Sequence, residues 1–155
     1  MVQRVQTVWL FFASLAIFCL FLFPYLHVLS ANGTAKALKV TGVYENINGE
    51  VVHTSMFLPL IIITVILGLI PLVIIFFYQN RKTQIQICYF NIVAILAFSF
   101  WLVQVAKQVF GDITLQIGNY GIGVILPSLA ILFTILALRG IRNDEKLIKS
   151  ADRLR

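Results

Sequence analysis

The sequence predicts an all-α membrane protein: four transmembrane helices in one bundle, with both termini cytoplasmic. A small β-hairpin or three-stranded cap is expected on the outer side, and an amphipathic, basic helix at the C-terminus. Three observations predict this. Apolar residues make up 60% of the chain and charged ones 12%, where soluble domains hold about 45–50% and about 25%. Four runs (Val5 to Tyr25, Met56 to Tyr78, Ile85 to Ala106 and Gly121 to Leu138) contain no Asp, Glu, Lys or Arg, and roughly 20 apolar residues of helix cross the about 30 Å core of a bilayer. The cations that remain fall mostly at one set of ends, which sets an orientation.

At 155 residues the chain has room for one domain, 1–155, with spans at about 5–27, 56–78, 85–107 and 119–139. The first run exceeds the about 7–15 residues of a signal-peptide core, so it is expected to stay as a span. With the N-terminus in the cytoplasm, that side holds Arg4, Arg81, Lys82, Arg139, Arg142, Lys146, Lys149, Arg153 and Arg155 against Asp144, Glu145 and Asp152. The outer side holds Lys36, Lys39 and Lys107 against Glu45, Glu50 and Asp112. The whole net charge of +6 is therefore expected on the cytoplasmic face.

The outer loop 30–55 ends in "VYENINGEVV". Asn48-Gly49 between two strand-like runs is a strong hairpin signal, and a two-residue turn would pair Ile47 with Glu50, Glu45 with Val52, and Tyr44 with His53. In the second outer loop, Ile113, Leu115 and Ile117 alternate with polar residues, which suggests a third strand. The inner loop, Gln79 to Gln84, is a short cationic turn. Pro24, Pro59 and Pro71 should kink or end the first two spans, and the carbonyls they free need partners inside the bundle. In the fourth span Gly123, Pro127, Ala130, Thr134 and Ala137 recur at heptad spacing. Small residues let helix backbones approach closely in lipid, so these five form a packing seam, toward another helix of the chain or a helix of another protein.

Positive signs of catalysis are missing from the sequence. There is no HExxH, no CxxC, no glycine-rich phosphate loop and no Ser-His-acid pattern. His27, His53, Glu45 and Glu50 give no three-ligand metal cluster in the expected hairpin register, since Glu45 and Glu50 share one face and His53 takes the other. The expectation is therefore a non-enzyme with no catalytic, cofactor-binding or metal-binding residues. No span carries a central acid or base, which weighs against coupled transport. Asn91 and Gln104, polar residues of the third span, mark a candidate pocket for the alternative reading, a small-molecule transporter or a lipid- or quinone-binding protein; interhelical hydrogen bonding is the plainer explanation.

The tail, 140–155, is amphipathic on a helix. Arg139, Arg142, Lys146, Lys149 and Arg153 fall within about 80° of one another, with Leu147, Ile148, Ala151 and Leu154 opposite. Three uses compete: a topology anchor, an interfacial helix on anionic lipid, and docking to a partner.

The two ends, "MVQRVQ" at residues 1–6 and "IRNDEKLIKSADRLR" at 141–155, resemble a family of small bacterial membrane proteins catalogued as a domain of unknown function. Its members begin Met-apolar-Gln-Arg-apolar-Gln and close near Ala-Asp-Arg-Leu-Arg. The resemblance implies a four-span protein of the Gram-negative inner membrane and brings no activity or catalytic residue with it. It draws Gln3, Arg4 and Gln6 toward the tail as one cytoplasmic patch. The functional expectation is an accessory or scaffolding subunit of a membrane complex, docking through Gln3, Arg4, Arg81, Lys82 and the tail cations. Membrane lipids and a protein partner are expected, homo-oligomerisation is open, and nucleic acid is not expected.

Overall fold

The structure is a computed structural model describing residues 3–29, 35–47, 50–77, 80–110 and 117–153. Helix α1, Gln3–Phe18, closes with a 3₁₀ turn at Cys19–Phe21 and leads into four strands: β1 Leu26–Leu29, β2 Ala35–Lys39, β3 Gly42–Ile47 and β4 Glu50–Met56. Helices α2, Leu58–Phe76, and α3, Arg81–Phe110, follow, and two short 3₁₀ turns precede α4, Ile125–Arg153. The helices run alternately up and down. One end of the helical body carries the sheet; the other carries the start of α1, the α2–α3 connection and the end of α4.

Each helix packs on two others: α1 on α2 and α4, and α3 on the same two. The α1–α4 pair makes the most extensive contact, and Trp9 stacks on Phe133 with ring centroids 5.8 Å apart. Three helical segments, Leu58–Phe76, Arg81–Phe110 and Ile122–Leu147, are long and apolar enough to cross a membrane. Large side chains such as Ile62, Ile66, Phe90, Val93, Leu96 and Phe100 stand exposed on them. An apolar surface of that extent is abnormal for a monomer in water and compatible with a membrane protein.

The first span is shorter than the sequence suggested. It was expected to reach residue 27, but the α-helix stops at Phe18 and its apolar stretch, with the 3₁₀ turn, ends at Phe21. At 16 residues α1 is about 24 Å long. Pro24 lacks the donor a helix needs, and Leu26–Leu29 is drawn into the sheet instead.

The sheet also departs from expectation. It has four antiparallel strands in the order β1-β2-β3-β4, not a hairpin or three strands. The β3–β4 hairpin has the expected register, with Tyr44 opposite His53, Glu45 opposite Val52 and Ile47 opposite Glu50. Its further strands come from the first loop and from the segment read as the end of span one; most of the expected strand near Ile113 and Leu115 lies outside the described residues. The second loop meets the sheet through one bridge, Leu26 to Tyr120. Leu26, Val28, Leu38 and Val43 turn one face onto Leu20, Leu102, Val105 and Ala106, so the sheet closes that end of the core.

The prolines behave as their chemistry dictates. Pro59 sits in the first turn of α2, where its missing donor costs nothing. Pro71 lies inside α2, disturbing the helix ladder around the carbonyls of Leu67 and Gly68. The Ser14 hydroxyl donates to the Gly68 carbonyl over 2.7 Å, which ties α1 to α2 at that point. At the end of α2, the Gln84 amide donates to the Ile74 carbonyl over 3.2 Å, one of the acceptors a helix C-terminus leaves open.

Candidate functional site

The end of the molecule opposite the sheet brings together polar residues of three helices. Its centre is Asp144, 8% exposed, on the part of α4 that the sequence presents as tail. The Gln6 amide of α1 donates to Asp144 Oδ2 over 2.7 Å. Arg81, in the first turn of α3, approaches the same oxygen at 3.6 Å. One carboxylate thus joins the first helix, the start of α3, and the last helix. It also offsets a cation placed where the helix dipole is unfavourable to it, at a helix N-terminus. Gly140 makes room: a Cβ there would lie 2.8 Å from Gln6 Cγ.

Around this knot the cations divide into two groups. Arg81 is half-buried against Asp144, and its ion pair occupies it. Lys82, Arg139, Arg142 and Lys146 are exposed, with the Arg142 guanidinium 5.2 Å from the Tyr89 ring centroid. Gln3, Arg4, Lys149 and Arg153 lie on α1 and α4, and their side chains fall outside the described residues. The tail continues α4 as one helix. Its first turn belongs to the core, because Ile141 is 1% exposed and packs with Leu10, Ile74, Cys88, Ala137 and Leu138.

The seam residues Gly123, Pro127, Ala130, Thr134 and Ala137 are all buried. Gly123 meets Pro24 and Tyr25, where a Cβ would lie 2.9 Å from backbone atoms. Leu10 of α1 packs in the same cluster as Ala137. Ile141 and Asp144 continue the same spacing of four and three, so the seam and the buried side of the tail are one stripe. Sequence reasoning missed Asp144 as a site residue, although it sits on the side of the tail opposite the basic ridge.

Asn91 and Gln104 do not share one environment. Asn91 is fully buried, while Gln104 is exposed. Thirteen positions along a helix separate them by about 20 Å and turn them to opposite sides. The Asn91 amide has no hydrogen-bond partner at either end. Among the described residues no three His, Cys, Asp or Glu come together as metal ligands; Glu45 instead pairs with Lys36 at 2.6 Å.

These features define a helical protein of membrane composition with a polar knot at one end and a sheet at the other. The chain belongs to the family described as Domain of unknown function (DUF4293), which it matches over residues 2–154. No curated protein and no solved structure matches it.

Proposed function

We propose that the protein is a non-enzymatic subunit of the bacterial inner membrane, with both termini cytoplasmic, that docks a partner protein through its cationic end. The observation that carries this reading is the set of exposed cations Lys82, Arg139, Arg142 and Lys146 around a rigid knot. At 29 residues α4 extends about 44 Å, well beyond the about 30 Å of a bilayer core. Its cations therefore stand clear of the membrane on a fixed helix, and a rigid charged surface loses little entropy when an acidic surface meets it. Arg81 contributes through its pair with Asp144, holding the face together rather than contacting a partner.

A truncation after Gly140 would test this poorly, because it removes the buried Ile141 and Asp144 along with the cations. The better variant carries K82E, R139E and K146E, all at exposed positions. Tagged protein is purified from its native membrane in mild detergent, and whatever stays attached is identified by mass spectrometry. The expected result is a stoichiometric partner with the unmodified chain and its loss from the triple variant, with insertion unchanged. A chain that purifies alone, or a partner equally retained by the variant, would sink the docking reading.

A further inference from the structure

The two edges of the sheet differ. β1, at one side, is met by Tyr120 through its bridge to Leu26. β4, at the other, pairs with β3 alone among the described residues. An edge strand turns the N–H and C=O groups of alternate residues away from its sheet. Proteins protect such edges from pairing with Lys, Pro or a bulge. β4, Glu50–Met56, contains neither Lys nor Pro. Its irregularity is Thr54, passed over where Val43 pairs with Ser55 and Tyr44 with His53, and the stretch before it is regular. Val51 is 68% exposed and Val52 44%. Neighbouring residues of a strand point to opposite faces, so the helices cover neither face of this stretch.

We propose that β4 pairs antiparallel with β4 of a second copy, joining two four-stranded sheets into one across a two-fold axis. Symmetry favours this occupant. A strand that pairs antiparallel with its own copy has the axis normal to the sheet. One face of this sheet lies on the end of the helical core, against Leu20, Leu102, Val105 and Ala106, so its normal runs roughly along the helices. Two copies inserted the same way in one bilayer share a two-fold axis only along the membrane normal, the direction in which the helices cross. The open edge therefore meets itself in the one orientation a membrane permits.

Such an axis keeps each face of the sheet on its own side, so one residue must stand opposite itself. Charge selects which. Glu50 is the one Asp, Glu, Lys or Arg of the strand. With Val52 on the axis, Val52 faces Val52 of the partner subunit and Val51 faces the partner's His53. The two Glu50 carboxylates are then four residues apart, about 14 Å, beyond the reach of about 10 Å that exposed charges have in 0.1 M salt. Centring on Val51 would halve that separation, and centring on His53 would carry the pairing into the irregularity at Thr54. The proposal takes from the proposed function only that the helices span a bilayer. The edge lies at the opposite end from the cationic face, so either reading can fail without the other.

The test is cysteine cross-linking of the full chain in its native membrane. V52C and V51C are compared under one mild oxidant, with the unmodified chain, which keeps Cys19 and Cys88, as background. Directly opposite Cα atoms lie about 4.5–5.5 Å apart, within the about 4.4–6.8 Å that a disulfide spans. The two Val51 positions would be about 8 Å apart. V52C is expected to run mainly as a dimer on non-reducing gels and V51C mainly as a monomer, although Val51 is the more exposed and chance collision would favour it. V51C/H53C, which sets each thiol opposite the other, should restore the dimer. Equal cross-linking at 51 and 52, no dimer from V52C, or a V52C adduct with a different polypeptide would each overturn the proposal.

Discussion

Asp144 shows what a single buried acid does in this chain. Its carboxylate accepts from Gln6, 138 positions away, and no local pattern announces that pairing. D144A leaves the Gln6 amide as a buried donor with no acceptor, at a cost of about 1–3 kcal/mol. The double variant Q6L/D144L removes both partners and should lose less than the sum of the two single leucine changes. Unfolding in detergent micelles, read as a double-mutant cycle, checks this, and simple additivity would mean the two side chains do not interact. Asn91 predicts the opposite sign. Its amide is buried without partners, so N91L, which keeps the same branching and number of side-chain heavy atoms, should stabilise by about 1–3 kcal/mol. A lower melting temperature would show that the amide is satisfied after all. From sequence, Asn91 and Gln104 were both simply polar residues in an apolar run; only the helix phase separates the buried one from the exposed one.

At the scale of elements, the sequence was informative where a local cause decides the outcome. Asn48-Gly49 in the sequence signals a two-residue turn, and a turn of that length sets which flanking residues face each other, so the register of β3 and β4 was readable in advance. The end of α1 was not, because hydropathy cannot separate a buried strand from a helix in a short apolar run. Leu26–Leu29 reads as a continuation of the span and folds as β1. The Ala- and Lys-rich β2 lacks the β-branched and aromatic residues that mark strands, so the added strands went unseen. The α4 stripe was split in two for a related reason: charge density drew a boundary near Gly140, while the packing period runs on through Ile141 to Asp144. Where α4 begins, Gly123 decides how closely it meets the Pro24–Tyr25 backbone. G123A should cost about 1–3 kcal/mol through overpacking, measurable as a lower melting temperature. An unchanged stability would mean that α4 can move aside freely.

Across the whole molecule, apolar composition and charge asymmetry were enough to expect apolar helices with a sheet at one end, and the family match extends over the same residues. They could not supply the knot of Gln6, Arg81 and Asp144, because it is assembled from α1, the start of α3 and the end of α4. The α1–α4 pairing also sets an order of assembly. A chain made from its N-terminus releases α1 first and α4 last, yet these two helices share the largest contact. Until α4 arrives, Gln6 has no Asp144, Trp9 has no Phe133, and one side of α1 has no protein neighbour. The helical body therefore cannot close as successive hairpins. A ribosome that stalls before residue 125 leaves a chain whose first helix has its largest contact face uncovered, open to whatever surrounds it.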